Sequence, residues 1–479
     1  MEFEMIAKTF QGLEEVLAEE LTNLGANNIS IGRRMVSFTG DKELMYRANY
    51  SLRTAIRILK PIKHFQANNP DEMYEQVKAI EWENYLNIKS TFAVDAVVYS
   101  EEFRHSMFAS YRVKDAISDY FREKTGNRPS VSVSNPDILL NIHIAENNCT
   151  LSLDSSGESL HRRGYRVETG EAPLSEVLAA GMILMTGWRG ECDLIDPMCG
   201  SGTILIEAAL IARNIAPGLF RKGYAFEKWA DFDSDLFEKI CSDDSNEREF
   251  THKIYGYDIS PKVCAIARRN VTSASLGKDI ILDIRPFEEF TKPKEKAIII
   301  TNPPYGERIT TDDLLGLYES IGERLKKQFK GNTAWILSYR DECFAKIGLK
   351  PSKKIELNNG ALECQFRQYE MFDGSYKDFL EGGGKLDKAE EDNKFPKKKR
   401  FEREKKPFRK ERSPYDRSER PGRKDSRDFK NDGKPSFRKE KPKDRFGKEK
   451  RRGDERPRRT ESYPERKRRE RDEKNMKRE

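Results

Sequence analysis

The 479-residue chain is 36% hydrophobic and 35% charged, and its charge is unevenly distributed. Residues 385–479 hold 40 Lys or Arg and 23 Asp or Glu, a net charge of +17, which leaves residues 1–384 at −10. The seven cysteines are widely spaced and form no C-x-x-C pair, which argues against disulfides and a metal site and favours a reducing cytoplasm. The chain starts with acidic residues, which argues against a signal peptide. Its longest uncharged apolar stretch, 177–188, is shorter than the roughly 20 residues that span a bilayer, which argues against a membrane protein.

The first 157 residues predict two small α+β units, because apolar residues recur at strand or helix spacing between turn residues. The predicted elements are a strand at 2–10, a helix at 12–25, a strand at 28–40, a helix at 41–55, a helix at 71–86, a strand at 91–100, a helix at 112–126 and a hairpin at 137–157. From about Glu171 strands and helices alternate, which predicts an α/β fold with a mostly parallel sheet.

The predicted strands of that sheet are 192–198, 253–260, 280–286, 297–303 and 333–339. A last pair, 353–360 and 361–372, reads as an antiparallel hairpin around Asn358-Asn359-Gly360, which is a strong turn signal. The apolar stretch 177–188 predicts a buried helix. Beyond Leu386 there is no Leu, Ile, Val, Trp or Cys, so the basic tail cannot bury a core and is expected to be disordered.

A glycine-containing loop lies between a strand and an apolar helix in DLIDPMCGSGTILIEAAL, which begins at Asp193. Asp196 ends the strand, and Gly200 and Gly202 allow a ligand to approach the backbone at the helix start. An ordinary strand-to-helix turn is the alternative. The loop lacks the third glycine of the dinucleotide-binding motif G-x-G-x-x-G, which argues against a dinucleotide site. It also lacks the G-K-[ST] of a phosphate-binding P-loop, which excludes that site.

Two further acids stand at strand ends. Asp258 ends 253–258, where a carboxylate can accept hydrogen bonds from two ribose hydroxyls, and Asp283 ends the next strand. Each acid alone is also typical of a helix cap or an exposed turn. Asp258 lies far beyond the roughly 20-residue spacing of the dinucleotide fingerprint.

Asn302-Pro303-Pro304-Tyr305 follows the apolar run AIIIT. Ligands bind beyond the carboxyl ends of parallel strands. The Asn302 side-chain carbonyl and the Pro303 backbone carbonyl are two acceptors that suit a planar amine, and Tyr305 can stack on its flat face. A strand-ending proline turn is the alternative.

DPMCGSGT, GYDIS and TNPPYGER, in this order, resemble the class I S-adenosylmethionine-dependent methyltransferases that act on exocyclic amino groups. RHSMFASYRVKDAI, NPDILLNIHIAENNCTLSLD and LHRRGYR resemble a ferredoxin-like domain followed by a THUMP RNA-binding domain. Together they resemble bacterial THUMP-containing 23S rRNA guanine-N2 methyltransferases. The resemblance implies a ferredoxin-like domain at 1–64, a THUMP domain at 65–165, a Rossmann-like methyltransferase domain at 166–380 and a disordered basic tail at 381–479.

The resemblance also implies roles for the residues. Asp196, Gly200, Gly202, Asp258, Asp283 and Pro173 would bind S-adenosylmethionine, and Asn302, Pro303 and Tyr305 would form the target-base site. No metal is implied, and the oligomeric state stays open, a monomer included. Residues expected to contact RNA, as 23S rRNA or a pre-ribosomal particle, are Arg33, Arg34, Arg162, Arg163 and Arg166, together with the tail.

Three functions remain open from the residues. The first is methylation of guanine N2 in RNA by a cytoplasmic enzyme. The second is methylation of adenine N6 or of a glutamine amide by the same fold, since N-P-P-Y serves all of these amines. The third is a non-catalytic RNA-binding or ribosome-assembly factor in which the basic tail has the main role. For the tail itself, a purely solubilising role is the alternative.

Overall fold

The computed structural model describes residues 1–371 apart from 104, 171–172, 290–295 and 307–310, and all of them belong to one compact unit. The predicted basic tail lies outside these residues. Within the described part, every helix is too short or too polar to cross a membrane. The strands form two sheets, and helices pack on both.

The first sheet has eight strands: β1 (Phe3–Lys8), β2 (Asn27–Gly32), β3 (Met35–Gly40), β4 (Arg57–Gln66), β5 (Thr91–Tyr99), β6 (Ser130–Val131), β7 (Ile138–Ala145) and β8 (Asn148–Asp154). Their spatial order is β2-β3-β1-β4-β8-β7-β5-β6. β5 pairs in parallel with β6 and β7, and the other neighbours pair antiparallel. The helices of this half are α1 (Glu14–Asn23), α2 (Lys42–Ser51), α3 (Pro70–Lys78) and α4 (Ser106–Thr125).

Three features of this sheet differ from the prediction, and the first is the short strand β6, which was not predicted. Residues 28–40, predicted as one strand, lie in the hairpin of β2 and β3, with Arg34 at a φ of 58° in its turn. β4 has no counterpart among the predicted strands, because Pro61 and several charged residues interrupt its apolar pattern and a bulge accommodates them. β4 crosses the predicted limit at residue 64 and pairs with both β1 and β8, so the two α+β units share one sheet.

The second sheet has seven strands: β9 (Asp193–Asp196), β10 (Ile254–Asp258), β11 (Ile280–Ile284), β12 (Ala297–Thr301), β13 (Thr333–Ser338), β14 (Lys353–Asn359) and β15 (Leu362–Glu370). Their order is β11-β10-β9-β12-β13-β15-β14. The first five are parallel, and β15 pairs antiparallel with β13 and β14. The helices of this half are α5 (Glu176–Met185), α6 (Thr203–Ala212), α7 (Ser234–Ser242), α8 (Pro261–Ser273), α9 (Thr311–Gln328) and α10 (Asp341–Ile347).

This arrangement confirms the predicted α/β sheet with a C-terminal antiparallel hairpin. Gly360 has a φ of 62° in the hairpin turn, which explains a glycine there. The predicted buried helix is α5, eight of whose ten residues are buried. Every residue of α6 is buried, so the loop that precedes α6 is attached to the core of the second half.

The segment between α6 and β10, residues 213–253, attaches the two halves to each other. Phe226 stacks on Tyr46 of α2, with ring centroids 4.4 Å apart. Arg221 donates hydrogen bonds to three backbone carbonyls within 158–162. The long segment between Asp196 at the end of β9 and Asp258 at the end of β10 therefore connects the first half of the protein to the second.

Candidate active site

Three neighbouring strands of the second sheet bring the predicted residues to one edge. β9 pairs in parallel with β10 on one side and with β12 on the other. Asp196 ends β9, Asp258 ends β10, and Asn302 directly follows β12. Chain order reverses at β9, and this is where open α/β sheets bind ligands.

The loop after β9, residues 197–202, is here called the glycine loop. It has a φ of 55° at Gly200 and 84° at Gly202. The Gly200 N–H donates to Asp258 Oδ2 at 3.2 Å, and the Cys199 N–H donates to the Tyr257 carbonyl at 2.8 Å, so the loop is tied to β10. A Cβ built at Gly200 would meet no described atom within 4 Å. The loop therefore borders open space beside the free N–H groups of a helix start, which fits a polar cofactor.

Asp196 lies in the interior, with 1% of its surface exposed. Its Oδ1 accepts hydrogen bonds from Thr301 Oγ1 at 2.8 Å and from the Met198 N–H at 3.2 Å. Burial raises the pKa of this carboxyl to about 7, and the nearby Asp258 carboxylate acts in the same direction. Because Thr301 precedes Asn302, the Asp196 carboxyl also fixes the chain directly before Asn302.

Asp196→Asn is expected to stabilise the ligand-free protein above pH 7. A carboxyl whose pKa rises from about 3.9 in the unfolded chain to about 7 in the folded one contributes stability below pH 4 and loses it as pH rises through 7. Asparagine keeps the acceptor for Thr301 and does not ionise, so the gain should grow by up to about 1.4 kcal/mol per pH unit between about pH 4 and about pH 7 and level off above pH 7. Thermal unfolding from pH 5 to 9 measures this, and a gain independent of pH would contradict it.

The other two predicted acids differ in their partners. The half-buried Asp258 accepts at Oδ1 from the Ser260 N–H at 2.9 Å, in addition to its bond from Gly200. Asp283 is 44% exposed, and its Oδ2 accepts from Arg285 Nε at 2.6 Å. Asp258 thus connects the glycine loop to the start of α8, whereas Asp283 is engaged by an arginine at the end of its own strand.

The tetrapeptide after β12 folds Tyr305 back toward Asn302. The Tyr305 hydroxyl donates to Asn302 Oδ1, and burial raises the pKa of that hydroxyl, which keeps it protonated. The Tyr305 ring meets the Tyr339 ring edge-on, with centroids 5.4 Å apart. An amide oxygen has two lone pairs, so the Tyr305 hydroxyl uses one and the second can accept from a ligand amine. Asn302 is half-buried and Pro303 is buried.

Pro173 is exposed, and residues 171–172 before it lie outside the described ones. Its neighbours contact Arg166 instead. Arg166 Nη2 donates to the Leu174 carbonyl at 3.1 Å, and Arg166 Nε donates to Glu176 Oε1 at 2.9 Å. The start of α5 is therefore attached to the segment that enters the second half.

Two of the five arginines predicted to contact RNA are internal. The side chain of Arg163 is 2% exposed and that of Arg166 is 12% exposed, and both are ion-paired with buried glutamates. The RNA contact predicted for these two residues is wrong, because long-range contacts bury them. Arg33, Arg34 and Arg162 are exposed, as an RNA contact requires.

Three residues at this edge have no role in the prediction. Ile259 directly follows Asp258 and is 72% exposed. An apolar residue directly after a strand-end acid is the sequence signal by which Ile259 could have been noticed. Tyr339 follows β13 and contacts Tyr305, and its place after a strand end is a similar signal. Asn270 in α8 is 1% exposed and donates to the Ser201 carbonyl at 3.1 Å, for which the local pattern gives no signal.

A mostly parallel sheet in this order, with a glycine loop after one of its inner strands, is the arrangement of class I methyltransferases. The match to a methyltransferase domain and the likeness to a solved methyltransferase that holds SAH make the second half a class I methyltransferase domain whose cofactor is S-adenosylmethionine. Residues 163–368 match the RMKL-like methyltransferase domain, residues 67–154 the THUMP domain and residues 4–59 the RlmL ferredoxin-like domain. The chain belongs to the family of THUMP-containing, RMKL-like methyltransferases.

Three similar proteins illustrate the family. A provisionally assigned RNA methyltransferase of Synechocystis is 39% identical over 369 residues, which are 76% of this chain and 96% of that protein. The ribosomal RNA large subunit methyltransferase K/L of Syntrophotalea carbinolica is 40% identical over 375 residues, 75% of this chain and 52% of that protein, so the chain spans about half of this relative. A crystallised, provisionally assigned methyltransferase in complex with SAH is 30% identical, with a TM-score of 0.70 over 78% of this chain and 99% of that one.

Proposed function

We propose that the protein transfers a methyl group to the exocyclic N2 amine of a guanosine in RNA, with 23S ribosomal RNA as the substrate. The observation that carries the proposal is the position of Asn302, at the carboxyl end of β12 and beside the strand that leads into the glycine loop. The THUMP match and the name of the Syntrophotalea relative support ribosomal RNA as the substrate class.

S-adenosylmethionine, when bound, supplies a methyl group on a sulfonium that is already activated for transfer. The protein must hold the acceptor amine in line with that methyl, and such alignment can contribute about 7 to 11 kcal/mol. Guanine N2 is a poor nucleophile because its lone pair is delocalised into the ring. We assign Asn302 Oδ1 and the Pro303 carbonyl as acceptors for the two amine hydrogens, which stabilise the developing positive charge. The Tyr305 hydroxyl fixes the rotation of the Asn302 amide.

Asp258→Ala is expected to weaken cofactor binding about 10- to 100-fold, with a smaller effect on kcat at saturating cofactor. The variant loses the acceptor of the Gly200 N–H and the carboxylate that we assign to the ribose hydroxyls, and bonds to charged groups contribute about 1.5 to 3 kcal/mol each. Calorimetry with S-adenosylhomocysteine measures the affinity. Asp283→Ala is the comparison, since its carboxylate is already engaged by Arg285. A larger loss in Asp283→Ala than in Asp258→Ala would contradict these roles.

Incubation with tritiated S-adenosylmethionine and unmodified ribosomal RNA tests the proposed reaction. After digestion to nucleosides, the label should migrate with N2-methylguanosine, and Asn302→Ala protein should form this product far more slowly. Label in N6-methyladenosine, or in a protein rather than in RNA, would show that the enzyme methylates an amine other than guanine N2. RNA binding without any transfer would favour a non-catalytic factor.

A further inference from the structure

The connector, residues 163–168, leads from the first half into the second and contacts the glycine loop. Arg166 donates from Nη1 to Ser201 Oγ at 3.3 Å and from Nη2 to Thr203 Oγ1 at 3.0 Å. Ser201 lies between the two positive-φ glycines, and Thr203 begins α6. One guanidinium therefore holds both the loop and the first residue of the helix that follows it.

Asn270 holds the same loop from α8. Its Nδ2 donates to the carbonyls of Ser201 and Glu168, both at 3.1 Å. Its Oδ1 accepts from the N–H groups of Val167 and Glu168 at 3.0 and 3.2 Å. An asparagine amide can make four such bonds, so its full capacity joins the connector to the glycine loop.

The glycine loop depends on contacts of this kind for a fixed shape. Two of its three last residues are glycines, which lose more conformational freedom on ordering than any other residue type. Gly202 caps α6 without a side-chain hydrogen bond. The bonds from Arg166 and Asn270 supply the restraint that the loop sequence itself lacks.

The position of Arg166 is unfavourable for α6 itself. The amino end of a helix carries partial positive charge, so a cation beside it is repelled. Glu176, whose Oε1 lies 2.9 Å from Arg166 Nε, offsets that charge. The largely buried Arg166 guanidinium is therefore held at the start of α6 by its ion pair with Glu176 and not by the charge of the helix.

We propose that Arg166 is a positioning residue for the cofactor, acting through Ser201, with Asn270 as its partner. The two side chains hold the glycine loop in the open shape that S-adenosylmethionine enters, so the site is formed before binding. This inference rests on cofactor binding by the methyltransferase domain and is independent of which amine is methylated.

Calorimetry of the full chain with S-adenosylhomocysteine, in the absence of RNA, tests the inference. Arg166→Ala should weaken binding on the order of 10- to 100-fold, because the charge-assisted hydrogen bonds that hold Ser201 and Thr203 are lost. Arg166→Lys keeps the positive charge but lacks the planar set of donors, so its affinity should lie between those of the wild type and Arg166→Ala. Amide hydrogen exchange of residues 199–202 should become faster in both variants. Guanidinium added at millimolar concentration should restore part of the affinity of Arg166→Ala.

Arg269→Ala is the matched control. Arg269 pairs with Glu168 of the same connector from a position that is 53% exposed, so its removal should leave affinity and loop exchange unchanged. Wild-type affinity and exchange in Arg166→Ala would overturn the inference. The inference would also be overturned if Arg166→Ala lost affinity together with a lowered melting temperature and added guanidinium restored none of that affinity. A failure to find N2-methylguanosine would leave these binding results unaffected, so the two proposals can fail separately.

Discussion

Asn302→Ala is expected to lower kcat for methyl transfer by a factor of about 100 to 1,000, the cost of removing one preorganised hydrogen-bonding group from a developing charge. The affinity for S-adenosylmethionine should stay within about twofold of wild type, since the cofactor contacts assigned here come from the glycine loop and Asp258. The Asn302 oxygen already accepts from the Tyr305 hydroxyl, so it is held in place before the amine arrives. Single-turnover assays at saturating cofactor separate this effect from binding.

Two further variants make the Asn302 result specific. Tyr305→Phe keeps the ring and removes the hydroxyl that orients the Asn302 amide, so kcat should fall less than in Asn302→Ala. Pro304→Ala changes an exposed residue of the same tetrapeptide and should retain most of the activity. If Asn302→Ala lost cofactor affinity as strongly as it lost kcat, Asn302 would be a structural part of the cofactor pocket and the target-site role would be lost.

The strand ends of the second sheet could be predicted because each joins a short apolar run to a polar residue. Parallel strands place such ends at one edge, so Asp196, Asp258 and Asn302 could be expected at the same edge of the sheet from the sequence alone. The hydrogen-bond partners of these residues could not be predicted. The bond from Thr301 to Asp196 crosses 105 positions of the chain, and the bond from Gly200 to Asp258 crosses 58, distances over which a local pattern has no information.

β4 shows the limit of periodicity in the first half. Its pattern RILKPIKHFQ has a proline and three Lys or His residues where a central strand would alternate apolar and polar residues. Pairing on both sides and a bulge near Pro61 override the local preference. The two N-terminal units therefore look separate in sequence and share a sheet in structure.

The arginines of LHRRGYR show the same limit at the level of single side chains. Arg162 and Arg163 are neighbours of one residue type, yet the side chain of Arg162 is 67% exposed and that of Arg163 is 2% exposed. Charge composition predicts a solvent or RNA contact equally for both. The difference arises from Glu207 in α6, whose burial beside Arg163 no local pattern reveals.

Arg163→Ala is expected to destabilise the protein by about 3 to 5 kcal/mol, the cost of removing one partner from a buried ion pair. Arg163 Nε lies 3.6 Å from Glu207 Oε1, and its two Nη groups donate to the carbonyls of Leu160 and Arg53. The variant leaves these two carbonyls without their donor and removes from the Glu207 carboxylate the counter-charge with which it is ion-paired, so that only the more distant charge of Arg53 remains. Urea titration followed by tryptophan fluorescence measures the loss, and Arg162→Ala, at the exposed neighbour, should leave the midpoint unchanged.

The pH dependence of this loss identifies its cause. Burial already raises the pKa of Glu207, and the charge of Arg163 opposes that rise. Without Arg163 the pKa of Glu207 should rise further, so the carboxyl can take up a proton at low pH and the destabilisation should be smaller at pH 5.5 than at pH 8. Arg163→Ala combined with Glu207→Leu should recover part of the lost stability, because no unpaired charge is then buried. A loss that is equal at both pH values and is not relieved in the double variant would show that the two carbonyl bonds, rather than the ion pair with Glu207, account for the stability that Arg163 contributes.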